Sequence, residues 1–150
     1  MTLSAINETF QIPPGDPNYR VDTSFTVRHD VTLLGMHPHM HTRGKDLQYR
    51  LVFPNGETRT ILNVPQYNWH WQLWYNLANP IELPKGTKIE CTAHFDNSAK
   101  NPDPTKTVIW GQQSFDDGLF FNVAFSAELS AREVLPLPTA DTALAEKHQK

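Results

Sequence analysis

"LQYRLVFPNGETRTILNV", residues 47 to 64, sets the fold class. Two runs rich in Leu, Val, Ile, Thr and Tyr flank Pro54-Asn55-Gly56-Glu57. Branched and aromatic side chains suit a pleated, half-buried surface. Asn-Gly supplies the positive φ that a tight hairpin turn demands. The stretch reads as a β-hairpin.

Working outward, strands are predicted near residues 19–27, 31–37, 46–53, 58–64, 70–77, 87–95, 107–111 and 119–127. Between them stand "IPPGDP", "LPKGT" and "NPDP", clusters of the residues that make turns. No helical period is visible before the tail. Many short strands at this spacing predict an all-β chain, an antiparallel β-sandwich of jelly-roll-like form. With 150 residues the chain has the length of one domain. Residues 1–138 are expected to form it, and the small, polar stretch 139–150 to be a flexible tail in which His148 has no role.

The totals narrow the function classes. A net charge of -3 with no basic run argues against nucleic acid and anionic membranes as partners. No apolar stretch approaches the roughly 20 residues needed to span a bilayer. The opening "MTLSAINETF" shows neither the basic nor the apolar part of an export signal. Cys91 is the single cysteine, which excludes an internal disulfide and a thiolate zinc cluster. Lying in "TKIECTAHF", it is expected to be a packed thiol.

Two stretches carry candidate chemistry. In "GMHPHMHTRGK", residues 35 to 45, His37, His39 and His41 occupy every second position. On an extended strand such residues project from one face, bringing neutral nitrogen donors toward a single ion such as copper or zinc. A merely polar strand face is the alternative. In "YNWHWQLWY", residues 67 to 75, an extended chain would alternate Tyr67, Trp69 and Trp71 against Asn68, His70, Gln72 and Trp74. This run is expected to pack the core between two sheets, with a sugar-stacking platform as the other reading. His94 stands where "CTAHFDNSAKNPDPTK" breaks from strand into loop, and is a further candidate to complete a histidine site.

Taken in order, "PHMHTRGK", "YNWHWQLWY", "LPKGTKIECTAHFDNSAKNPDPTK" and "WGQQSFDD" resemble the C-terminal copper domain of ascorbate-dependent type II copper monooxygenases. That is the family of peptidylglycine α-hydroxylating and dopamine β-monooxygenases, with bacterial relatives most alike. The likeness runs from about Phe10 to Phe125. It implies a β-sandwich whose copper binds oxygen and a small-molecule substrate and abstracts hydrogen from a C–H bond. A second copper-bearing domain or subunit would supply an electron, with ascorbate as reductant, in a periplasmic or secreted setting.

By position the family's His-x-His pair falls on His39 and His41, followed by a matching Gly44-Lys45. His37 joins them by strand parity alone. The family's methionine ligand has no counterpart, since the corresponding residues are Asp116-Asp117-Gly118. Met36 and Met40 have the opposite parity to the histidines and are not expected to replace it. Two or three imidazoles without a thioether favour Cu(II) over Cu(I). The metal candidates are therefore His39, His41, His37 and His94, and no further catalytic residue is read from the sequence. A non-catalytic copper-holding module and a carbohydrate-binding sandwich are the alternatives to an oxidoreductase domain.

Overall fold

A computed structural model describes residues 2–100, 106–111 and 119–126. The expected tail 139–150 with His148, and the Asp116-Asp117-Gly118 stretch, lie outside the described residues. The strands are β1 (Thr2–Asn7), β2 (Gln11–Ile12), β3 (Tyr19–Thr26), β4 (Val31–Met40), β5 (Gly44–Val52), β6 (Thr58–Val64), β7 (Tyr75–Leu83), β8 (Lys88–Phe95), β9 (Val108–Ile109) and β10 (Leu119–Ser126). Two four-stranded sheets, ordered β1-β10-β4-β7 and β3-β8-β5-β6, form a sandwich, and β2 pairs with β9 in a small third sheet. Every strand pair is antiparallel. The all-β sandwich read from the sequence is borne out.

Alternation decides which side of each strand faces inward. In β8, Ile89, Cys91, Ala93 and Phe95 enter the core and Lys88, Glu90, Thr92 and His94 face outward. In β4, Leu33, Met36 and Met40 join the same core, so His37 and His39 lie on the outer side. Met36 and Met40 are only 1% and 0% exposed, in keeping with their parity. Cys91 is a buried thiol whose ionisation burial pushes up, which leaves it inert as a nucleophile.

The turns follow their chemistry. Around the β5–β6 hairpin, Phe53 N–H donates to Glu57 O at 2.8 Å and Gly56 N–H to Phe53 O at 2.9 Å, with Gly56 at φ 87°. The strand expected at 70–77 needs correction: β7 begins only at Tyr75 and continues to Leu83. The Asn68 side chain accepts from His70 N–H at 2.9 Å, and Asn68 O accepts from Trp71 N–H at 2.8 Å. This local turn competes with a ladder and wins. The aromatic run is thus mostly a connection, from β6 of one sheet to β7 of the other. Core packing also fails for part of it, since Trp71 is 66% exposed and Trp74 is exposed as well. Tyr67 does pack against the core. Strands β1 and β2 were not anticipated.

Candidate metal centre

The histidine stretch lies where β4 ends and the chain crosses into β5. Gly44 N–H donates to His41 O at 3.0 Å, closing a tight turn over His41–Gly44. Behind it, the Tyr67 hydroxyl donates to Met40 O at 2.7 Å and accepts from Met40 N–H at 3.1 Å. One side chain from the 65–74 connection therefore satisfies both backbone groups of the residue between His39 and His41.

His39 and His41 come together. Their ring centres are 5.1 Å apart with planes at 87°, an edge-to-face arrangement. Trp69 packs against both, at 5.7 Å from His39 and 5.4 Å from His41. His41 is only 4% exposed, and His39 is half-buried. His37 sits two residues back on β4, its ring stacked on Trp74 at 5.2 Å. His94 is not brought to this pair. It projects from the outer face of the other sheet, where its Nδ1 lies 2.6 Å from Asp46 Oδ1.

The electrostatics suit ligand chemistry. Burial lowers the pKa of His39, the hydrogen bond to Gln72 raises it, and the neighbouring His41 and His37 lower it again, for a net fall. Burial also lowers His37. Both shifts favour the neutral ring, the form that offers a lone pair to a metal.

Several contributors were missed by sequence reasoning. Gln72 Oε1 lies 2.5 Å from His39 Nδ1, while Gln72 Nε2 donates to Trp69 O at 2.8 Å. The buried Arg43, inside the His41–Gly44 turn, donates from Nε to Asn97 Oδ1 at 3.0 Å. Asn97 in turn donates from Nδ2 to Pro13 O and Lys106 O, each at 3.0 Å, tying the turn to two loops. Long-range pairings of this kind leave no periodic trace. The one available signal was the density of Asn and Gln in and beside the aromatic run, at Gln66, Asn68, Gln72 and Asn76.

Two imidazoles sharing an ion through bonds of about 2 Å at a roughly tetrahedral angle have ring centres about 5 Å apart. The 5.1 Å separation of His39 and His41 is compatible with that spacing, and is equally the spacing of an edge-to-face ring contact. No group of three or more His, Cys, Asp or Glu side chains gathers for a metal among the described residues. What the histidine stretch brings together is this pair of adjacent imidazoles.

With fold and pair in view, the comparison with known families is specific. The family model of the copper type II ascorbate-dependent monooxygenase C-terminal domain matches residues 1–117. The chain belongs to that family. A search of curated proteins returned no match.

Proposed function

We propose that this chain is the copper domain on the oxygen and substrate side of a monooxygenase-like oxidoreductase, with the ion held by His39 and His41. The observation that carries the reading is the edge-to-face pair at 5.1 Å, in a chain of this copper-dependent family. Copper bound there would supply oxygen binding and hydrogen abstraction from a C–H bond. The chain's own residues bind, orient and shield. His39 and His41 provide nitrogen donors, Trp69 covers the pair on one side, and His37 flanks it on the same strand.

Trp71, Leu73 and Trp74 are exposed in the connection that carries Trp69 and Gln72. They make the exposed side of that connection apolar, which suits a neutral or apolar small-molecule substrate. The electron would come from a second copper-bearing domain or subunit with ascorbate as reductant, in a periplasmic or secreted compartment. No helix among the described residues is long and apolar enough to cross a membrane. The exposure of Trp71 and Trp74 also favours a second reading, a sugar-binding sandwich that stacks a ring on these indoles.

The test uses the family's methionine position. Gly118 is bonded to Leu119, and Leu119 pairs across the ladder with Met40, between the two histidines. Gly118→Met should add a soft ligand and raise Cu(I) affinity over the parent, which, lacking a thioether, should prefer Cu(II) over Cu(I) more than family members do. Competition titrations with Cu(I) and Cu(II) chelators measure this, with circular dichroism confirming the fold. A folded variant with no gain in Cu(I) affinity contradicts a site built like the family's.

A further inference from the structure

Trp69 O can only accept a hydrogen bond, so the neighbour 2.8 Å away must be the nitrogen of the Gln72 carboxamide. This fixes the amide's orientation and turns its oxygen toward His39. That oxygen can only accept as well, and it lies 2.5 Å from His39 Nδ1. The ring nitrogen facing it must therefore carry a proton. In a neutral imidazole the proton on Nδ1 leaves the lone pair on Nε2.

We infer that Gln72 is a positioning residue that locks His39 in its Nδ1–H tautomer and presents Nε2 to the metal. The inference rests on the copper reading above and adds a residue to it. Trp69 makes the device a two-sided one. Its backbone carbonyl anchors the Gln72 amide, while its ring packs against both His39 and His41. The clamp sits on a short turn, closed by Trp71 N–H donating to Asn68 O at 2.8 Å. A glutamine in place of the more usual carboxylate or carbonyl partner keeps the ring oriented without adding charge beside the ion.

The first measurement needs no metal. In the metal-free chain, ring nitrogen NMR of His39 should show the proton on Nδ1. Gln72→Leu removes the acceptor, so that Nδ1–H signal should be lost or mixed with the other tautomer. Copper affinity of the same variant should fall by about 10- to 100-fold, the usual effect of removing a partner behind a metal-bound histidine. Gln72→Glu restores an acceptor and should recover both the tautomer and most of the affinity.

The proposal is overturned if folded Gln72→Leu keeps the Nδ1–H tautomer, or loses it with copper affinity unchanged. Failure of Gln72→Glu to restore the Nδ1–H signal counts against it equally. Should the parent take up no copper at all, the metal reading fails and with it the ligand-presenting role. The NMR result still decides separately whether Gln72 sets the tautomer.

Discussion

Gly44 lies so close to Met40 that a methyl group added to the glycine would stand 2.7 Å from Met40 Cβ and 2.9 Å from the Tyr67 ring. Nothing but glycine fits the turn as it stands, because Met40 is buried in the core and Tyr67 is bonded to its backbone. Gly44, beside the histidines, thus has a packing cause. Gly44→Ala should cost about 1–3 kcal/mol of stability by overpacking. It should also weaken copper binding, since the displaced turn begins at His41. Chemical denaturation and a copper titration on the variant check the two effects together.

The tryptophans should separate sharply. Trp71 is 66% exposed, so Trp71→Ala should change stability by no more than about 0.5 kcal/mol. Trp69 is half-buried against both imidazoles, and Trp69→Ala should cost about 1–3 kcal/mol, less than a fully enclosed ring. It should also lower copper affinity by loosening His39 and His41. Thermal melts and titrations on both variants distinguish the roles. A Trp71→Ala chain that melts like the parent but loses binding on a glycan array would favour the sugar-binding reading.

How far the sequence was legible depends on the range of the interaction. The hairpin at Pro54–Glu57 was readable because its turn chemistry is local and agrees with both flanking strands. The burial of Met36 and Met40 was readable from parity on one strand. Residues 67–74 misled because their composition suits a strand, whereas the Asn68 side chain closes a turn that breaks one. His94 could not be placed from sequence, since its position depends on β8 lying between β3 and β5 in the opposite sheet. The Gln72–His39 and Arg43–Asn97 contacts join residues far apart in the chain, and spacing carries no record of them.

An acid-dependent prediction follows from Glu90 on the outer face of the second sheet. Its carboxylate accepts from Arg50 at 2.6 Å and pairs with Lys88 at 3.0 Å, and these contacts, Arg50 first, hold its pKa below the ordinary value. A group depressed on folding contributes stability above its unfolded pKa, and loses it as pH falls through the folded value. Glu90→Gln should therefore be less stable than the parent at neutral pH, by under about 1 kcal/mol for so accessible a pair. The difference should close as the pH drops below the usual glutamate range. Urea denaturation at stepped pH reads this directly, and a gap that widens in acid would contradict it.

The central claim is that His39 and His41 together hold copper, and copper stoichiometry of the purified chain tests it most directly. The parent should bind one tightly held copper. His39→Ala/His41→Ala should lose that high-affinity site while keeping its strand circular dichroism, because among the described residues no group of three or more His, Cys, Asp or Glu side chains stands ready to hold the ion instead. A double variant that still binds one copper with the parent's affinity would contradict the account.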